Sequence, residues 1–255
     1  MTALTQRNEP RSSLSPEVVR AIRRSRRNPR PTQFDYLHVR RLNADLASAL
    51  ARVARGAVDV LDVFCGSRPY EDLLPDGSRC IGFDIDNHYG VADVVGADFL
   101  PFEDASFDLV LCTEAFQYVP DPQAGVDELR RVLRPGGAVV IAVPFVWEYD
   151  RRLVEHRFTE PELAALFEGW DQVEIVENGG RVVASATVIG SVLELLRGRA
   201  TRRWRLRVLR PAFVAAYLCL NGGGALLDRA EERFLRERPY RLPMNLLLTA
   251  RRPLT

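Results

Sequence analysis

Apolar positions along this chain recur in two alternating rhythms. Short runs rich in Val, Ile and Leu, at Val58 to Phe64, Arg79 to Phe83, Phe107 to Cys112 and Ala138 to Val143, read as strands. A weaker strand is expected at Ala92 to Val95, and further ones at Gln172 to Val176 and Asn245 to Ala250. Between them the spacing lengthens. Leu37, Leu42, Leu46, Leu50 and Val53 recur at helical intervals, which predicts an amphipathic helix over 34–53. A second helix is expected over Gln123 to Leu133, where Arg134-Pro135-Gly136-Gly137 stops it and turns the chain into the next strand. Strands alternating with helices imply a parallel sheet with helices on both faces.

Two regions break this rhythm. Residues 1–33 are polar, carry prolines and hold a row of arginines, which predicts a partly disordered arginine-rich arm with a short helix from Pro16 to Arg26. Residues 182–240 mix apolar runs with Arg197, Arg199, Arg202, Arg203, Arg205, Arg207 and Arg210, and two or three helices fit there. A helical cover for the sheet, an oligomer interface and a basic amphipathic surface for a membrane or lipid-linked substrate all suit that composition. The domain proper is expected to occupy 34–255, with this insertion before its last strand.

Bulk properties narrow the field. At 47% apolar the chain can bury a substantial core. Its net charge of +1 gives no global drive toward nucleic acid or anionic membrane, so basic character is local. Every Lys or Arg position is arginine. Cys65, Cys80, Cys112 and Cys219 are scattered, without a CxxC pair or a close histidine, which suits small core residues in a reducing compartment and predicts no metal site. No apolar leader marks the N-terminus and no apolar stretch reaches the ~20 residues of a spanning helix, so the expected location is cytoplasmic, peripheral to the inner membrane face at most.

Candidate chemistry gathers where strands end. Val60-Leu61-Asp62-Val63-Phe64-Cys65-Gly66-Ser67-Arg68-Pro69-Tyr70 runs from an apolar strand through a carboxylate into a glycine turn. Open parallel sheets bind ligands at such strand ends. Gly66 allows close approach of the backbone, and Asp62 can accept from a cationic amine or orient the turn. Asp84 ends the second strand, where a carboxylate can accept both hydroxyls of a ribose. Asp98 can accept from a base amine, with Phe99 beside it as an apolar wall. Each alone could equally cap a helix.

The ordered set resembles a known family. Cys80-Ile-Gly-Phe-Asp84-Ile-Asp86, Gly96-Ala-Asp98-Phe-Leu-Pro-Phe102 and Ser106-Phe-Asp-Leu-Val110 are similar to class I S-adenosylmethionine-dependent methyltransferases of the type 11 kind. So are Glu114-Ala-Phe-Gln-Tyr118-Val-Pro-Asp-Pro122, Glu128-Leu-Arg-Arg-Val-Leu-Arg-Pro-Gly-Gly137 and Val143-Pro144. The resemblance covers roughly 34–178 and the strand near 245–250. It implies a Rossmann-like α/β fold with a seven-stranded sheet in the order 3-2-1-4-5-7-6, the last strand antiparallel, and S-adenosylmethionine as cofactor. By position, it implies that Asp62, Phe64 and Gly66 line the methionine part and that Asp84, with Ile85 beside it, takes the ribose. Asp98 and Phe99 would hold adenine, and Thr113 and Glu114 would lie at the reacting end. The loop departs from the family at two places: Phe64 stands where the first glycine is usual, and Arg68 where the last is.

These implications lead to an expected activity: methyl transfer to a small or amphiphilic acceptor, an oxygen nucleophile on a sugar, glycan precursor or lipid-like molecule. Such an acceptor needs a general base. His156, in Glu155-His-Arg-Phe-Thr159, is the first candidate and Glu114 the second, with Asp150 and Glu155 as rivals; His38 and His88 fall at no predicted strand end. Peripheral membrane contact through the arginine-rich helices is the accompanying expectation. The alternative is a non-catalytic cofactor-fold binding protein with an altered loop. A nicotinamide oxidoreductase would need G-x-G-x-x-G after the first strand, which is absent, and no nucleic-acid reading module is recognisable.

Overall fold

The computed structural model describes residues 13–96, 100–202, 208–234 and 241–254. Seven strands form one sheet: β1 (Asp59–Val63), β2 (Arg79–Asp84), β3 (Val94–Val95), β4 (Phe107–Thr113), β5 (Leu133–Pro144), β6 (Asp171–Asn178) and β7 (Asn245–Arg251). Their order is β3-β2-β1-β4-β5-β7-β6. The first five pair in parallel, and β7 runs antiparallel to both β5 and β6. The order and the antiparallel strand are those the resemblance implied.

The helices are α1 (Pro16–Arg27), α2 (Tyr36–Val53), α3 (Pro122–Val132), α4 (Glu160–Leu166), α5 (Arg181–Arg202) and α6 (Arg210–Phe234). Strand residues alternate between two cores because successive side chains point to opposite faces. Leu61, Val63, Val110, Cys112, Val139 and Ile141 pack with α3 and α4. Val60, Leu109, Leu111, Val140 and Ala142 pack instead on Leu42, Leu46, Ala49 and Leu50 of α2. The helical spacing in the sequence was therefore a true buried stripe.

Two local features differ from the sequence reading, and the insertion is the helix pair that reading allowed. The Arg-Pro-Gly-Gly turn is absorbed into β5: Leu133 already pairs with Phe107, and the register shifts before Ala138. Gly136 takes φ +77° there, and a Cβ on Gly137 would lie 2.8 Å from the Arg134 carbonyl, so glycine is required where the strand bulges. From Pro16 the arginine-rich arm is a helix docked on the domain. Ser15 caps it, Val19 is buried, and Arg23 Nε donates to the Ser67 carbonyl at 2.7 Å. The insertion forms an antiparallel pair, α5 and α6, packed over the start of α2 through Leu37, Val183, Ala184, Ala186 and Met244.

The hairpin meets α2 at glycines. A Cβ on Gly190 would come within 2.5 Å of the Phe34 carbonyl, and one on Gly224 within 2.5 Å of Leu37 Cδ1. Asn221 Nδ2 donates to the carbonyls of Pro31 and Gln33, at 2.7 and 2.8 Å, fixing the link between α1 and α2. Glu231 accepts from the backbone N–H groups of Arg181 and Val182, which caps α5 from the far end of α6.

Candidate active site at the strand ends

The turn after β1 is held by its neighbour strand. Cys65 N donates to the Phe83 carbonyl at 3.0 Å, and Gly66 N donates to Asp84 Oδ2 at 2.9 Å. The other Asp84 oxygen accepts from Ile85 N at 2.8 Å. Two bonds leave lone pairs on that carboxylate for further donors. Burial pushes the Asp84 carboxyl up, opposed by these N–H bonds. Ile85 is exposed beside it.

Alternate residues of this turn are left-handed: Phe64 at φ 56°, Gly66 at φ 51° and Arg68 at φ 53°. These are the positions of the family's glycines, and the physical reason for that pattern is now visible: glycine alone adopts such φ without strain. Both replacements keep the backbone and give their side chains other work. The Phe64 ring lies 6.2 Å from that of Phe83, at the start of an aromatic row continuing through Phe102 and Phe107. The Arg68 guanidinium is buried beneath the turn. It donates to Asp93 at 2.6 Å, Cys80 O at 2.8 Å, Glu71 at 3.0 Å and Val91 O at 3.3 Å. Gly82 makes room for it: a Cβ there would sit 2.9 Å from Cys65 Sγ and 3.3 Å from Arg68 Cδ.

Asp62 lies under the turn, buried to 3% exposure, and its carboxylate accepts no hydrogen bond among the described residues. Burial is the main cause that pushes its pKa up to about 7, with the Arg68 charge opposing. Thr113 ends β4, paired with Ala142. Asp98 and Phe99 lie outside the described residues.

Glu114 follows β4 in a left-handed conformation, φ 58°. Among the described residues five non-glycine residues have positive φ, and three of them, Phe64, Arg68 and Glu114, stand at this one edge of the sheet. Strain is concentrated where ligands bind in such sheets. Its carboxylate accepts from Asn245 Nδ2 at 2.6 Å, and the same amide meets His38 Nε2 at 3.0 Å. His38 Nε2 is itself 3.8 Å from Glu114 Oε2. Desolvation raises the Glu114 pKa to about 7, opposed by the charges of Arg26 and Arg157 and the Asn245 bond. Desolvation lowers that of His38 to about 3, helped by Arg26. His38 is therefore neutral at physiological pH, and Nε2 accepts from the Asn245 amide. The buried His38 Nδ1 and Asn245 Oδ1 have no partner among the described residues.

The sequence missed His38 and Asn245. His38 sits on the buried face of α2 and Asn245 opens the last strand, so only the closed sheet brings them to Glu114. The one available signal was an Asn beginning an otherwise apolar strand. His156 stands one step away: its N–H donates to the Gln117 carbonyl, and the Gln117 side chain donates to the Glu114 carbonyl, both at 2.8 Å. The His156 ring stacks on Phe158, and its buried Nε2 has no partner among the described residues. Asp150 instead pairs with Arg152, and Glu155 with Arg157. Tyr118 and residues 148–152 line a groove of about 820 Å³. No metal-ligand cluster occurs among the described residues.

Sheet order, strand directions and the turn after β1 together define the class of fold: a Rossmann-like sheet of the class I methyltransferase kind. Residues 61–141 match the methyltransferase domain family. The chain is 42% identical over 71 residues to a demethylmenaquinone methyltransferase of Clavibacter sepedonicus, covering 28% of each. It is 28% identical over 210 residues to a malonyl-(acyl-carrier protein) O-methyltransferase of Pseudescherichia vulneris, covering 74% of this chain and 73% of that protein. Four other pairings, the Clavibacter one included, span between 28% and 64% of the relatives' own lengths. Among solved structures, the 4+2 cyclase SpnF superposes with a TM-score of 0.52 at 20% identity, covering 84% of this chain and 82% of that one. That likeness concerns the fold alone.

Proposed function

We propose that this protein transfers a methyl group from S-adenosylmethionine to an oxygen nucleophile on a small or amphiphilic acceptor: a sugar, a glycan precursor or a lipid-like molecule. The observation that carries the reading is the cradle at the ends of β1 and β2. Its glycine turn is tied to Asp84, and the buried Asp62 beneath lacks a hydrogen-bond partner among the described residues. These residues fit the cofactor's polar groups. A buried carboxylate is stabilised by an ammonium partner, so Asp62 receives the amino end. Asp84 retains lone pairs for the ribose hydroxyls, and Gly66 permits close approach, its nearest neighbour beyond the turn being Tyr89 at 3.7 Å from a Cβ position. Asp98 and Phe99 are assigned to the adenine side, Ile85 with Asp84 to the ribose and Thr113 to the reacting end, with the Phe64 ring kept on Phe83.

When bound, the cofactor supplies an electrophilic methyl group on a sulfonium. The chain has then to align the acceptor, exclude water and take up the acceptor's proton. Glu114 is the base we favour. Its pKa of about 7 suits proton uptake at neutral pH, and Asn245 holds one oxygen in place. His156 is the second candidate. The malonyl-(acyl-carrier protein) relative is by name an O-methyltransferase, which accords with an oxygen acceptor. An amphiphilic acceptor would be met at a membrane surface, and α5 and α6 are the elements suited to carry the chain there.

Titration calorimetry with S-adenosylmethionine and with Asp84→Ala tests the cradle. Saturable binding by the folded wild type, weakened at least tenfold in the variant, is expected; no binding by the folded wild type would overturn the reading. Transfer of labelled methyl into lipid and glycan fractions then identifies the acceptor class.

A further inference from the structure

We propose that the outward face of the α5–α6 hairpin docks the protein on an anionic lipid bilayer. The hairpin is apolar on two sides. Its inner side is filled by α2 and Met244. Its outer side carries Val188, Ile189, Val192, Leu195 and Leu196, spaced so that they share one stripe of α5, with Leu195 57% exposed. On α6, Leu226 is 66% and Phe234 74% exposed. A helix apolar on two sides needs cover on both, and nothing among the described residues covers the outer side of this one.

The charges select the cover. The acidic groups of the hairpin are engaged within the protein. Glu194 pairs with Arg197 and accepts from the Tyr217 hydroxyl, Asp228 and Glu232 face Arg41, and Glu231 caps α5. Arg199, Arg202 and Arg210 flank the hairpin turn and have no carboxylate partner among the described residues, and neither does Arg229 toward the other end of α6. The turn end of the apolar face is thus cationic. A second copy docked in parallel would set these cations against each other, whereas bilayer phosphates complement them. No described helix is long and apolar enough to cross a membrane, so the hairpin lies on the surface. Its inner side holds the Pro31–Gln33 backbone through Asn221, only a few residues before His38, so docking would bring the Glu114 side of the site to the lipid interface.

The proposal draws its purpose from the amphiphilic-acceptor reading, yet vesicle binding is measured without cofactor or acceptor, so the two can fail separately. Full-length protein is sedimented with sucrose-loaded vesicles of phosphatidylcholine alone, and of phosphatidylcholine with one quarter phosphatidylglycerol. Expected is binding to the anionic vesicles only, falling with added salt, and weakened about 100-fold in Arg199→Glu/Arg202→Glu/Arg210→Glu. Leu195→Glu/Leu226→Glu is expected to lose binding as well, while S-adenosylhomocysteine binding and Tm stay unchanged in both variants. Equal recovery with the two vesicle types, or undiminished binding by either folded variant, would overturn docking. So would a solution dimer that these substitutions disperse in a protein that ignores vesicles.

Discussion

Left-handed backbone costs a residue other than glycine about 1–2 kcal/mol, so Phe64 and Arg68 persist only because their side chains return comparable energy. For Phe64 the return is packing on Phe83; for Arg68 it is four hydrogen bonds made from a buried position. Their substitutions should therefore differ. Phe64→Gly relieves strain but loses the ring and adds unfolded-state entropy, so its Tm should stay within about 4 °C of wild type. Arg68→Gly strips donors from two carbonyls and two carboxylates, and its Tm should fall by roughly 5–10 °C in a thermal melt. Equal stability of Arg68→Gly and wild type would refute that balance. At the reacting end, Glu114→Gln should lower kcat by about 10²–10⁴-fold with cofactor binding retained, and wild-type activity should rise with pH through about 7 as Glu114 deprotonates. A pH-independent rate, or full activity in Glu114→Gln, would remove Glu114 as base and leave His156 to be tested. Asp62 titrates in the same range, so S-adenosylmethionine affinity should also strengthen as pH rises through about 7, and Asp62→Asn should abolish that trend.

Among the elements, α2 carries the most. Leu42, Leu46, Ala49 and Leu50 seat it on the sheet, His38 reaches the site, and its first turn receives the hairpin. Gly190 is the tightest point of that last contact, because the atom a Cβ would strike is the Phe34 carbonyl, which cannot rotate away. Gly190→Ala should force α5 off the α1–α2 link at a cost of about 1–3 kcal/mol. Hydrogen exchange would locate the damage: faster exchange over 181–202 and 31–38 with β4 and β5 unaffected is the expected pattern, and unchanged protection there would contradict the contact. Arg23, donating to Ser67, ties α1 to the same neighbourhood. The helix of the arm was legible in its sequence, but its docking was not, since one buried valine and an arginine aimed at a backbone carbonyl have no periodic signature.

At the scale of the whole molecule, the two most strongly raised carboxyls oppose one strongly depressed imidazole. Folded Asp62 and Glu114 hold their protons up to about pH 7, whereas the unfolded chain releases them near pH 4, so their contribution to stability is full below that and declines up to about 7. His38 acts oppositely: its contribution is present above pH 6.5 and is lost as pH falls toward 3. Between pH 6 and 8 the carboxyls dominate, and the Tm of the cofactor-free protein should fall across that interval in a fluorimetric melt. The Asp62→Asn/Glu114→Gln double variant should flatten the profile, and a wild-type profile already flat would contradict the burial argument. Local spacing along the chain was enough for the seven strands in outline and the stripe of α2, and strand-end chemistry for Asp62 and Gly66 about the turn after β1 and for Asp84 at the end of β2. The tertiary structure alone decided that Phe64 and Arg68 preserve a glycine backbone, that β5 begins inside the Arg-Pro-Gly-Gly turn, and that His38 and Asn245 join Glu114. Those outcomes depend on contacts between residues distant in the chain, for which spacing along a sequence carries no record.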